Sequence, residues 1–152
     1  MKSRVLLPSI AAACLVIMGG YFLLNPSYEK SLTAKYYYEI GEYNEAYSLA
    51  KEAFSLNVYN RMAATVMAQS RNSIRYVEYN KMAKKYMKDI DEIAMHKNIL
   101  NSDKAKIRLI CHIMIDSYIK LAPSVITNKD LVKQSAEHYN NFEKLLEKVN
   151  LY

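Results

Sequence analysis

Apolar positions fall into two regimes along this chain. From Val5 to Leu24 the stretch VLLPSIAAACLVIMGGYFLL carries no charge at all. From Tyr28 onward apolar residues recur at intervals of three and four among polar ones, the spacing of helices with one buried face. With only three glycines, three prolines and few β-branched runs in 152 residues, the expected fold class is all-α.

The uncharged run is twenty residues long, about 30 Å as a helix, which matches the hydrocarbon core of a bilayer. Lys2 and Arg4 precede it and no base follows until Lys30. That bias predicts a cytoplasmic N-terminus with the remainder carried across. Tyr21 and Phe22 fall near the outer interface. Residues 1–24 are thus expected to be a transmembrane anchor bounded by Val5 and Leu24, residues 25–27 a linker with Ser27 as a helix cap, and residues 28–152 a helical domain. Two processing alternatives fit the lengths less well. A signal cleaved after Ala11 to Ala13 leaves only about six apolar-region residues before the cut, and a lipidated Cys14 is followed by ten almost wholly apolar residues where a polar tether belongs.

The helical region repeats itself. Ala34 and Ala68 lie 34 residues apart, and Tyr43, Glu45, Leu49, Ala50, Lys51 and Phe54 have counterparts 33 residues on in Tyr76, Glu78, Met82, Ala83, Lys84 and Met87. A period of that size holds two helices of about thirteen residues and their turns. Ala34 before Tyr37, the turn IGEY from Ile40 to Tyr43, and then Ala46, Ala53 and Leu56 resemble the tetratricopeptide repeat over Tyr28 to Asn60. The second unit, Arg61 to about Asp91, departs from it: Ile74 stands where Gly41 did, and Tyr79 and Tyr86 replace Ala46 and Ala53. Val58 also takes the place of a proline often found at the repeat's end.

The resemblance implies a solenoid of antiparallel helix hairpins, about three of them after the transmembrane helix. Its concave groove would be lined by Tyr28, Ser31, Lys35 and Tyr38 from one helix and Met62, Thr65, Gln69 and Asn72 from the next. Tyr37, with Ala34 and Ile40, is expected in the seam of the hairpin. A groove so polar and aromatic, with Lys35 its one charge, suits the backbone amides and apolar side chains of a bound peptide. The alternative is that these rings pack on a neighbouring helix of the same chain.

Beyond the repeats, Ser73 to about Asn98 reads as one amphipathic stretch on Ile74, Val77, Met82, Tyr86, Ile90, Ile93 and Ala94. Asn101 or Ser102 is expected to cap a helix whose apolar positions, Ile107, Leu109, Ile110, Ile113, Met114, Ile115, Tyr118, Ile119 and Leu121, cover most of its circumference, so that it needs neighbours on nearly every side. Arg108, His112, Asp116 and Lys120 argue against a second membrane span. Pro123 ends that helix, and Thr127 with Asp130 opens a last one on Leu131, Ser135, Tyr139, Phe142, Leu145, Leu146 and Val149.

Charge and chemistry narrow the function. The net charge is +6, of which Lys2 and Arg4 supply two; Asn25 to Asn60 holds three bases and five acids, and Arg61 to Tyr152 sixteen bases and ten acids. The bases form no stripe with interleaved aromatics, so no nucleic-acid partner is expected. Cys14 and Cys111 make no disulfide framework. Of His96, His112 and His138, only His112 joins a constellation, with Cys111 and Asp116, and it falls short of four zinc ligands. No phosphate loop, nucleophile elbow or H-E-x-x-H is present. The expectation is a protein that is not an enzyme, without metal, cofactor or small-molecule substrate, that binds other membrane-associated proteins. It would serve as a single-pass scaffold or assembly factor of a bacterial inner-membrane machine, such as a flagellar motor, secretion or division complex, with its helical domain in the periplasm. The alternatives are an organelle outer-membrane receptor whose cytosolic domain catches targeting peptides, and a secreted helical domain freed by signal cleavage.

Overall fold

The computed structural model of the protein describes residues 3–121 and 127–151. These form six α-helices and no strand: α1 (Ser3–Leu24), α2 (Pro26–Glu39), α3 (Tyr43–Leu56), α4 (Arg61–Ala94), α5 (Asn101–Ile119) and α6 (Lys129–Leu151). The chain divides into two compact units, Met1–Arg71 and Asn72–Tyr152, and α4 contributes to both.

In the first unit, α2 starts at Asn25, whose side chain accepts the Ser27 amide at 3.0 Å, with Pro26 in the first helical position. There a proline loses nothing, because its missing N–H would have been unpaired anyway. Asn25, not Ser27, is therefore the cap; Ser27 lies inside the helix and is buried. The far end closes on Gly41 at φ +87. The Gly41 amide bonds to Tyr38 O at 3.1 Å and the Glu42 amide to Tyr37 O at 2.9 Å, the paired bonds of a glycine-terminated helix. The left-handed backbone is what selects glycine here, since a Cβ would meet nothing within 4 Å. The reversal folds α3 back on α2. Ala34, Ala46 and Ala50 are fully buried there with Val66 of α4, and Tyr37, Tyr38, Leu49, Met62 and Met67 pack around them. Ile40 is exposed, so the expected seam holds at Ala34 and Tyr37 and ends a turn earlier than its spacing suggested.

A buried polar node joins three helix ends in this unit. Asn60 is fully buried. Its Oδ1 accepts the Ala63 amide at 3.1 Å, capping α4. Its Nδ2 donates to Ser27 O at 3.1 Å, Ser27 Oγ at 2.9 Å and Ser31 Oγ at 3.2 Å, sharing two hydrogens among three acceptors. Ser27 Oγ donates onward to Ala53 O at 2.8 Å, near the end of α3.

After the node the chain departs from the expected second hairpin. α4 runs uninterrupted for 34 residues. Ile74 occupies the place of Gly41, and neither glycine nor proline lies between Arg61 and Ala94. A β-branched residue cannot take up the left-handed turn cheaply, so the helix continues where a turn would need one.

The second unit packs the later part of α4 with α5 and α6. Its core contains Tyr76, Tyr79, Ala83, Ile90 and Ile93 from α4, Ile107, Ile110, Cys111 and Met114 from α5, Leu121, and Phe142 from α6. Val77 and Met82, expected on the inner face of α4, are exposed. The face turned inward instead carries Ser73, Tyr76, Asn80 and Ala83. Asn80 and Ser135 make a buried polar contact in the unit: Ser135 Oγ donates to Asn80 Oδ1 at 2.7 Å, and Asn80 Nδ2 reaches Leu131 O at 3.5 Å. Tyr118 stacks on Tyr139 at 4.5 Å and tilts toward Tyr79 at 5.8 Å. The Tyr79 hydroxyl is buried without a hydrogen-bond partner, and desolvation holds its pKa far above the ordinary phenol value.

Two arginines finish helix ends, where cations are favoured beside unpaired carbonyls. Arg75 donates to Lys120 O at 2.8 Å past the end of α5. Arg108 donates to Val149 O at 3.1 Å and Asn150 Oδ1 at 2.9 Å near the end of α6. The helix starts differ from expectation here as well. α5 begins after Leu100, whose amide bonds to Asp103 Oδ2 at 3.1 Å, so neither Asn101 nor Ser102 is the cap. α6 is capped by Asn128, which accepts the Asp130 amide at 2.9 Å, while Thr127 is buried. The expected stop at Pro123 lies outside the described residues; α5 itself ends at Ile119.

Candidate functional site

The first unit carries an open recess of about 460 Å³ between one face of α2 and one face of α4. Lys35 and Glu39 line it from α2, one turn apart. Arg61, Met62, Thr65, Val66 and Gln69 line it from the first three turns of α4 at spacings of three and four. Each helix therefore contributes a single stripe. The two stripes are held beside each other by Ala34, Ala46 and Ala50, which admit close helix approach, and by the Asn60 node, which fixes where α4 begins.

Val66 is buried and Met62 half-buried, so the floor is apolar. The rim holds two cations, Lys35 and Arg61, and one carboxylate, Glu39, all exposed. The Thr65 hydroxyl donates back to Arg61 O at 2.8 Å, which leaves its oxygen able to accept. Gln69 adds an amide that both donates and accepts. The lining thus sets an apolar floor beneath a rim of charged and hydrogen-bonding side chains.

Of the residues expected in a groove, Lys35, Met62, Thr65 and Gln69 meet in this recess. Tyr38 is half-buried, with its ring edge-on to Tyr43 at 5.4 Å and packed beside the alanine cluster. Tyr28 is half-buried at the start of α2. Ser31 is fully buried, donating to Tyr28 O at 2.9 Å and accepting from Asn60, so it belongs to the interior node and not to an open surface. Asn72 belongs to the second unit and is half-buried there. Glu39, Arg61 and Val66 were missed. Glu39 and Val66 stand one helical turn beyond Lys35 and Met62, a relation that the i to i+4 rule could have supplied.

Other chemistry-bearing side chains are dispersed. Among the described residues no group of three His, Cys, Asp or Glu could hold a metal ion. Cys111 is buried in the second core, His112 and Asp116 are exposed on α5, and burial lowers the His138 pKa, with Lys84 pushing the same way. Burial also pushes the Cys111 thiol up to about 11 from 9.0. The folded state thus keeps its proton where the unfolded chain loses it, and stability falls as pH rises from 9 toward 11. Only about one Cys111 in a thousand is thiolate at pH 8. Iodoacetamide at that pH is expected to label Cys111 in the native chain more than a hundredfold more slowly than in urea, as read by mass spectrometry of the Cys111 peptide.

α1 presents a different surface. Ile10, Leu15, Val16, Ile17, Met18, Tyr21 and Leu24 are all exposed, on every side of the helix. Among the described residues no single helix is long and apolar enough to cross a membrane; Pro8–Tyr21 and Pro26–Glu39, bent by 75°, meet that measure only as a pair. The side chain of Val5, the expected start of the span, lies outside the described residues. Compared with protein-family models, curated proteins and solved structures, the chain finds no match.

Proposed function

We propose that this protein is a membrane-anchored interaction module: α1 holds it in a bilayer, and the recess between α2 and α4 binds a segment of a partner protein. The observation that carries the reading is α1 itself, apolar around its whole circumference and uncovered, followed directly by a packed helical unit. A helix of that kind needs an apolar surrounding. The uncharged run Val5 to Leu24 has the length of one span. The bent pair is the poorer membrane element, because α2 carries Glu29, Lys30, Lys35 and Glu39 and spends Ser27, Ser31 and Ala34 on packing. The lysine and arginine before the run favour an N-terminus in the cytoplasm and a helical domain on the far side, as in a periplasmic scaffold or assembly factor of an inner-membrane machine. Tethering raises the local concentration of membrane partners, so a shallow recess suffices for useful occupancy.

The test has two arms. In inverted inner-membrane vesicles the full chain is expected to resist carbonate extraction, and its helical domain to survive added protease; release by carbonate would end the anchor reading, and digestion would reverse the topology. A photo-crosslinking side chain in place of Thr65 is expected to capture a partner in native membranes, with the adduct reduced about tenfold by Lys35→Glu. The same probe at Glu52 is expected to capture nothing. Equal adducts at both positions would remove the recess from the function.

A further inference from the structure

We propose that the outward face of α5 pairs, antiparallel, with the same face of a second copy of this chain. The helix divides cleanly. Ile107, Ile110, Cys111 and Met114 are buried, and Asp103, Lys104, Arg108, Ile115, Ser117 and Tyr118 half-buried. The exposed remainder from Ala105 to Lys120 forms one stripe at 100° per residue. Within that stripe Leu109 is 60% exposed, Ile113 40% and Ile119 70%. α6, in the same unit, presents only polar residues at its exposed positions until Leu151 at its end. α5 differs from it in setting three large aliphatics on one stripe.

The order of residues on the stripe selects the occupant. Leu109 and Ile119 stand five residues before and after Met114, and His112 and Asp116 two before and after it. When two such helices cross antiparallel at the level of Met114, each residue meets the one equally far on the other side. Leu109 then faces Ile119 of the second copy, and His112 faces its Asp116, twice over by symmetry. A parallel pairing would instead set like against like, Asp116 on Asp116. Within the chain neither His112 nor Asp116 has a hydrogen-bond or ion-pair partner among the described residues, so both are available. Arg108 and Lys120 are also equidistant from Met114, but the Arg108 guanidinium is turned to the end of α6, which weakens that repulsion. The face is one helix wide and smaller than the roughly 800 Å² per partner of a standard interface. The pair is expected to exchange quickly, so a covalent trap reads it best.

This pairing does not depend on the recess or on its ligand. In the detergent-solubilised full chain with Cys14→Ser, copies carrying Leu109→Cys mixed with copies carrying Ile119→Cys are expected to cross-link at least fivefold more than either alone. Greater yield from the unmixed copies, or none from the mixture, would overturn the proposal. In the mixed experiment Asp116→Lys is expected to lower the yield about tenfold, since two pairs are disrupted at once. Adding His112→Asp to the same chains is expected to restore it, because the reversed pair is again self-complementary. A double variant no better than the single one means that the face serves some other partner, and the proposal fails. These positions are exposed, so the helical signal should be unchanged in every variant.

Discussion

Asn60→Ala is expected to lower the stability of the first unit by about 3 kcal/mol, the sum of a lost helix cap worth about 1 and orphaned buried partners worth about 1–3. The amide holds the start of α4 to Ser27 and Ser31 of α2 from a fully buried position. Alanine supplies neither the acceptor for the Ala63 amide nor the donor for the two hydroxyls. Ser31→Ala removes one hydroxyl from the same node and is expected to cost only about 1 kcal/mol. Asn60→Asp separates the two roles. It keeps the cap acceptor but turns a carboxylate toward Ser27 O, and is expected to be at least as harmful as alanine at neutral pH. Thermal unfolding followed by helical circular dichroism should show a drop of roughly 10 °C for Asn60→Ala. An aspartate variant as stable as the natural chain would mean that the cap alone matters.

In the second unit the largest loss is expected from Phe142→Ala, about 3–5 kcal/mol. Phe142 is fully buried in a cluster drawn from α4, α5 and α6, with Leu145, Leu146 and Val149 packed around it. Truncation opens a void that helices held by Asn80, Ser135 and the tyrosine stack can close only in part. Phe142→Leu, which keeps most of the volume, is expected to recover more than half of the loss. Denaturant unfolding monitored by tyrosine fluorescence measures both, and equal costs for the two variants would show that ring shape, not volume, holds the site.

What could be read from the chain alone follows a physical division. The hairpin of α2 and α3 was legible because each of its devices is local: Gly41 for the left-handed turn, and Ala34, Ala46 and Ala53 for close approach. The inner stripe of α6 was legible because its other face is polar from Lys129 to Asn150. α4 was misread in two ways. Its repeat-like spacing suggested a turn near Ile74, where the glycine of the first hairpin is missing, and apolar residues on both faces hid which side is core. Ile90 and Ile93 are buried as expected, but Val77 and Met82 are exposed; earlier in the helix the buried stripe runs also through Ser70, Ser73, Asn80 and Ala83, small or paired residues that hydrophobicity alone does not flag. Three caps are asparagines, Asn25, Asn60 and Asn128; for the first and last of these, expectation settled on Ser27 and on Thr127 with Asp130 instead. Of the eight residues expected in a groove, Lys35, Met62, Thr65 and Gln69 line the recess. The place of Ser31 was not legible, because its partner Asn60 is 29 residues away, and no local pattern announces a contact at that distance.

The interior of the first unit is lined by Ala34, Ala46, Ala50, Ala53 and Ala63, none with any exposed surface. From such a starting point nearly every accepted change must add atoms, and there is no room to receive them. The second unit, filled by tyrosines, isoleucines, a methionine and a phenylalanine, can trade volume among neighbours. Over long descent the first unit should therefore drift mainly along its outer skin, while the second can rearrange from within and still remain the same bundle.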